Sequence, residues 1–191
     1  MEYILRENPF ADIISIGKTK TIEKFYYIDL TNNLEKLYSN ISKSHKRSIK
    51  KAESHNLIFE KLDNSKIDFF YKLYLYQMKK IGAVPHKLNF FNSILEHLEK
   101  NIEIYLTHKE GIIASSLTLA TKENLFLLYS GMNEEGYKKC AKHFLIKKLI
   151  LLAKERKFKR LILGTGMGSI AQFKKGFTKE EHYIYTKGGK I

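Results

Sequence analysis

Residues 102–131 read IEIYLTHKEGIIASSLTLATKENLFLLYSG. Three runs rich in aromatic, aliphatic and β-branched residues, Ile102–His108, Ile112–Ala120 and Leu125–Gly131, are separated by two short polar stretches. Those stretches, Lys109-Glu110-Gly111 and Thr121–Asn124, are too short for anything but tight turns. The pattern predicts an antiparallel three-strand meander.

Toward the C-terminus, apolar residues at Ala141, Phe144, Leu145, Ile146, Leu149, Ile150 and Leu152 predict a long, mostly buried helix from about Lys138 to Arg156. Lys159–Leu163 reads as a short buried strand. A loop, Gly164-Thr165-Gly166-Met167-Gly168, leads into a short helix from Ser169 to about Gly176, and Tyr183–Thr186 closes as a strand. On the other side of the meander, Phe25–Leu30 reads as a strand. A single helix follows, capped by Thr31, Asn32 or Asn33 and ended by Asn56. Leu57–Leu62 is the next strand. Two helices, Ser65 to about Lys80 and Lys87 to about Lys100, are divided by Gly82 and Pro85. Residues 1–24 form an N-terminal extension, with a short strand at Asp12–Ile16 and a turn at Gly17. The expectation is one α/β domain over residues 25–191, a mixed sheet with an antiparallel meander flanked by helices.

A chain of 191 residues suits one domain with a sizeable core. Cys140 is the only cysteine, so no internal disulfide can form and a reducing compartment is expected. Cys140 itself reads as a small apolar residue near a helix start, with a nucleophile as the other reading. The N-terminus lacks the basic-then-apolar order of a signal peptide, and the apolar run Leu149–Ala153 is far too short to span a bilayer. A cytoplasmic protein without a transmembrane segment is expected. The 34 basic and 20 acidic residues give a net charge of +14. That field attracts RNA, anionic membrane or a phosphate-bearing substrate, and it equally fits a lysine-rich composition without function.

Four motifs carry a resemblance. They are Ser42–Glu53, basic and followed by a strand; Tyr76–Pro85 followed by Phe90-Phe91; Tyr129-Ser130-Gly131-Met132 leading into the long helix; and Leu163-Gly164 with Phe173-Lys174-Lys175-Gly176-Phe177 downstream. In this order they resemble the Fem-type aminoacyltransferases, a branch of the GNAT acyltransferase superfamily. The resemblance covers about residues 25–187 and corresponds to the second of the family's two GNAT-like halves. It implies a GNAT fold and N-acyl transfer to an amine, with acyl-CoA or aminoacyl-tRNA as donor. The implied acceptor is a small-molecule or lipid-linked amine on a cell-envelope sugar or peptide precursor, peptidoglycan in the family at large.

The resemblance places Lys174 at the donor site, where a cation balances phosphate or oxyanion charge; otherwise it is a surface lysine. Tyr129 and Ser130 fall at the end of the third meander strand and are candidates for proton transfer or positioning. His86 is a candidate for the acceptor side. Gly164 and Gly166 sit in a loop whose amides would suit an anion, or whose glycines serve only a tight turn. Lys138 and Lys139, with Gly136 and Lys142, stand where CoA-using relatives carry a glycine-rich pyrophosphate loop, which this chain lacks. A solvated lysine cluster is the other reading. His143 reads as a core histidine. Lys46, Arg47 and Lys50 on the basic helix face are candidates for tRNA phosphates, or an ordinary solvated face. No His/Cys/Asp/Glu group has metal-ligand spacing, so no metal is expected. Two further readings stand beside the enzyme: a basic RNA-binding module on a decayed transferase scaffold, and a subunit that completes its site with a partner chain, such as a homodimer.

Overall fold

The computed structural model describes residues 2–6 and 19–190, with side chains described for residues 24–183. The strand expected at Asp12–Ile16 and the turn at Gly17 lie outside the described residues. Among the described residues eight strands form one sheet: β1 (Glu2–Arg6), β2 (Thr19–Asp29), β3 (Ile58–Leu62), β4 (Ile102–His108), β5 (Ile112–Ala120), β6 (Asn124–Met132), β7 (Arg160–Thr165) and β8 (Glu181–Lys190). Their order is β1-β8-β2-β7-β6-β5-β4-β3. Every neighbouring pair is antiparallel except β6 and β7, which are parallel. The meander is β4-β5-β6, with limits within one residue of those read from the alternating runs. The first long strand begins at Thr19, so the sheet extends to the N-terminal side of residue 25.

The helices are α1 (Leu34–Asn40), α2 (Lys43–Ser54), α3 (Ile67–Ile81), α4 (Leu88–Leu98), α5 (Glu134–Lys138), α6 (Ala141–Glu155) and α7 (Gly168–Lys175). Two elements expected as single helices are broken. The helix ending at Asn56 is split at Ile41, which is extended, and Ser42 starts α2 by accepting a hydrogen bond from the His45 amide (3.3 Å). The Ser42 amide in turn donates to the Gly176 carbonyl (2.9 Å), so the break also ties α2 to the end of α7. The helix expected from Lys138 is broken at Cys140, whose φ of +54° is left-handed. Cys140 is partly buried and packs beside the core at the α5–α6 junction.

Helices cover both faces. On one face α6 buries Leu145, Ile146, Leu149, Ile150 and Ala153 against Ile28 and Leu161 of the sheet, with Ile49 of α2 and Leu37 of α1 beside them. On the other, α3 and α4 bury Phe70, Tyr74 and Phe91 against Ile104, Leu106 and Leu117. Each fully buried aliphatic or aromatic side chain stabilises the fold by roughly 1.5–3 kcal/mol. No helix among the described residues is long and apolar enough to cross a membrane.

The feature that makes a site is the seam between β6 and β7. Their pairing covers only Asn124–Phe126 against Arg160–Ile162. Just beyond, both strands carry a bulge on their outer sides. Leu117 and Thr118 of β5 pair with Tyr129 and Leu127, leaving Leu128 extra. Tyr26 and Tyr27 of β2 pair with Gly164 and Ile162, leaving Leu163 extra. A bulge bends its strand, and two at one level turn β6 and β7 away from each other. Gly164, with φ +76°, supplies the left-handed residue next to the second bulge.

Candidate active site

The parted strands open a cavity of about 330 Å³. Its floor is Leu127–Ser130 of β6 and Leu163 of β7. Its walls are one face from each of three helices: Tyr74, Gln77, Met78 and Ile81 of α3, Lys142 and Ile146 of α6, and Ser169, Ile170, Phe173 and Lys174 of α7. These are helical spacings of three and four, so each wall is a single stripe. Tyr137 closes the rim; its hydroxyl donates to Gln77 Oε1 (2.8 Å) and its ring lies under Lys80 Nζ (3.5 Å).

Two lysines face this cavity. Lys174 Nζ donates to the Thr165 carbonyl (2.6 Å), and a Cβ on Gly164 would stand 3.7 Å from that nitrogen. Burial, then the charge of Lys142, pushes Lys174 down to about 8. Lys142 Nζ lies 5.3 Å from the centre of the Phe173 ring, and burial pushes it to about 8 as well. Tyr129 sits on the cavity floor with its hydroxyl's pKa raised by burial and, secondarily, by Tyr74. At neutral pH the cavity therefore holds two predominantly charged ammonium groups and a protonated phenol.

Lys174 is held from behind by an aromatic cluster. His45 Nε2 is 2.9 Å from the Phe173 carbonyl. Its ring packs against His143 (4.7 Å) and Phe177 (4.6 Å). Burial lowers both histidines, His143 to about 4, so both are neutral at pH 7. His143, expected in the core, is only partly buried, and its Nδ1 has no hydrogen-bond partner. The ring of His45 occupies the space where a side chain at Gly176 would begin: a Cβ there would lie 2.3 Å from it. The basic motif on α2 and the Phe173–Phe177 motif thus meet through His45 and Gly176. Gly176→Ala must expel that ring and break its hydrogen bond, so we expect a loss of about 1–3 kcal/mol in denaturant midpoint experiments; an unchanged midpoint would contradict the packing.

The sequence candidates divide clearly by position. Lys174, Tyr129 and Ser130 line the cavity. His86 stands one ring away: its ring stacks on Phe90 (4.3 Å), meets Tyr129 (5.7 Å), and its amide donates to the Tyr74 hydroxyl (3.0 Å). Gly164 and Gly166 build the seam without lining the cavity; a Cβ on Gly166 would come within 2.8 Å of Ile170 Cγ2, so it seats the loop on α7. Gly164 lies within β7 rather than in a loop. Lys138 and Lys139 are engaged along α5 with Glu134 (3.0 Å) and Glu135 (2.5 Å), one turn earlier. The cation that α6 sends into the cavity is Lys142. Lys46, Arg47 and Lys50 are exposed on α2, and Lys46 Nζ donates to the Ser39 carbonyl (3.3 Å).

The comparisons with known proteins agree with this geometry. Residues 39–175 match the model of the Acetyltransferase (GNAT) domain family. Among solved structures, that of FemX superposes with a TM-score of 0.76 at 11% identity, covering 94% of this chain and 65% of that one. The C-terminal domain of a putative lysylphosphatidylglycerol synthetase from Agrobacterium fabrum gives 0.62 at 17%, covering 87% and 60%. The ribosomal-protein-S18-alanine N-acetyltransferase from Escherichia coli gives 0.51 at 12%, covering 71% and 95%. At these identities the likeness shows the fold. The chain spans less than two thirds of the length of the first two. No curated protein sequence matches.

Proposed function

The chain belongs to the GNAT acetyltransferase-domain family, and from that premise we propose that it is an N-acyltransferase working in the open seam between β6 and β7. It moves an acyl or aminoacyl group from acyl-CoA or aminoacyl-tRNA to an amine on a cell-envelope sugar or peptide precursor. The observation that carries this is the coincidence of the parted strands with Lys174, Lys142 and Tyr129 in one largely apolar cavity. The likeness of the fold to FemX and to the C-terminal domain of a putative lysylphosphatidylglycerol synthetase supports an aminoacyl donor and an envelope or lipid-linked acceptor.

A bound donor supplies an activated thioester or ester carbonyl. The acceptor nitrogen attacks it; the C–N bond forms, the C–S or C–O bond breaks, and the nitrogen's proton leaves for the departing group or water. The chain's part is positioning and electrostatics. Lys174 and Lys142 set positive charge against donor phosphate or carbonyl oxygen. The apolar walls exclude water and strengthen that attraction. The same two cations disfavour an incoming ammonium and so favour the free amine that reacts. Tyr129 and Ser130 offer hydroxyls on the floor for holding or passing a proton. His86 would order the acceptor side through Tyr129.

Lysines acting as cations give a definite pH dependence. The falling limb of kcat/KM should lie near pH 8, where both lysines lose charge. Lys142→Met removes the cation that helps depress Lys174, so the limb should move to higher pH while the donor KM rises about tenfold; a limb that stays in place would refute the coupling. The proposal as a whole is tested by incubating the protein with acyl-CoAs, charged tRNAs and envelope amine precursors and reading products by mass spectrometry. Acylated amine is expected. Salt-sensitive tRNA binding through Lys46, Arg47 and Lys50 with no transfer from any donor would favour the RNA-binding reading instead.

A further inference from the structure

Among the described residues, the cavity is lined by two lysines and by no Asp, Glu or His. Glu134 and Glu135, in the turns before Lys142, pair with Lys138 and Lys139, and Glu181, beyond Lys174, pairs with Lys24. Inside, Lys174 is met by one neutral carbonyl, that of Thr165, and Lys142 by the Phe173 ring. A low-dielectric space of this kind penalises a further positive charge and rewards a negative or neutral one.

We infer that the cavity is a charge filter for the transferred group, accepting acyl groups whose side chains are neutral or anionic and rejecting lysyl, arginyl and other cationic ones. This rests on the acyltransferase reading above and deepens it, since the same site sets which donors react. The size limit points the same way. A space of about 330 Å³ has room for a short or medium acyl group, but none of its polar lining atoms belongs to an anion that a long cationic side chain could reach. An α-amino group, with an ordinary pKa of about 7.7–8.0, can enter uncharged, whereas a lysyl side chain at about 10.4 cannot at neutral pH. The filter therefore acts on the side chain even when the donor is aminoacylated. The depressed lysine pKa values accord with this field, each ammonium already paying for its place.

The test uses two donor series matched in length and differing in charge. One is butyryl-CoA, succinyl-CoA and 4-aminobutyryl-CoA. The other is non-hydrolysable 3′-amidoadenosine carrying norleucyl, glutamyl or lysyl groups. Calorimetric binding to the intact chain at pH 7 is measured for both, with transfer assayed in parallel from the acyl-CoAs and from tRNAs charged through the ordinary ester with the same norleucyl, glutamyl and lysyl groups. In whichever series binds, the neutral and anionic members should bind at least tenfold more tightly than the cationic one, and Lys142→Glu should shrink or reverse that ratio. Equal or tighter binding of the cationic member, or lysyl transfer by the native chain, overturns the filter and leaves the transferase reading intact. Binding in neither series overturns the filter. Discriminating binding with no transfer of any group preserves the filter and sinks the transferase reading.

Discussion

Lys174→Met should lower kcat/KM for acyl transfer by about 10²–10³-fold while leaving the protein equally or more stable. The size of the kinetic loss is that of removing one preorganised group aimed at developing negative charge in a water-poor site. The side chain meets the conditions for that role: it faces the cavity, it is fixed by the Thr165 carbonyl, and its backbone is clamped through His45 and the Phe173 carbonyl. The stability side follows from proton linkage. Folding lowers the pKa from 10.5 to about 8. Below pH 8 the lysine is charged in both states, and the folded protein bears the cost of burying that charge. Between pH 8 and 10.5 the unfolded chain binds more protons, so stability rises with pH across that window. Replacing Lys174 by Met removes a cost of about 1–3 kcal/mol at neutral pH, partly offset by the lost hydrogen bond. Urea midpoints of the variant should therefore be flatter with pH between 8 and 10 than those of the native chain. Lys174→Arg, which keeps a charge there but not the shape, should recover only part of the rate. Full activity in Lys174→Met, or a stability profile identical to the native one, would remove this residue from the centre of the mechanism.

The largest expected effect on folding is at Gly131. A Cβ there would lie 2.3 Å from both the carbonyl carbon and the carbonyl oxygen of Leu73, and 2.5 Å from the Tyr74 amide. These are backbone atoms of α3, so no side-chain rotation can relieve the contact; the helix has to lift from the sheet. Gly131→Ala should cost about 3 kcal/mol or more, at or above the upper end of overpacking effects. The consequence reaches the site, because Tyr74, Gln77, Met78 and Ile81 on α3 form one wall of the cavity. Gly111→Ala in the β4–β5 turn is the control: nothing lies within 4 Å of a Cβ there, and the change should stay within about 0.5 kcal/mol. Comparable midpoints for the two variants would mean that α3 does not rest on Gly131 as described.

The meander was legible because each of its strands is a short apolar run bounded by polar turn residues, a pattern that depends on nearest neighbours alone. The seam was legible only through the motif order, since no local feature announces that Leu128 and Leu163 are extra residues. Of the lysines named together at the start of α6, Lys142 is the one that lines the cavity, while Lys138 and Lys139 pair along the helix. Lys138, Lys139 and Lys142 look alike as charges. Glu134 and Glu135, however, stand four residues before the first two and neutralise them along the helix, while the residue four before Lys142 is Lys138. The spacing of acids was the available sign. The His45–Gly176 contact and the Gly131–Leu73 contact join residues far apart in sequence, so neither had any local trace. The break at Cys140 had none either, because a left-handed cysteine is rare and nothing beside it in sequence requires one.

The short parallel pairing between β6 and β7 also has a mechanical meaning. The sheet is two stiff plates, β1-β8-β2-β7 and β6-β5-β4-β3, welded over Asn124–Phe126 and Arg160–Ile162 and braced by α6. Spreading any antiparallel ladder would sacrifice a row of backbone bonds, whereas spreading the free ends of β6 and β7 sacrifices none. Widening the sheet at those ends thus costs no ladder hydrogen bond, which makes the seam the softest line across an otherwise continuous array of backbone pairs.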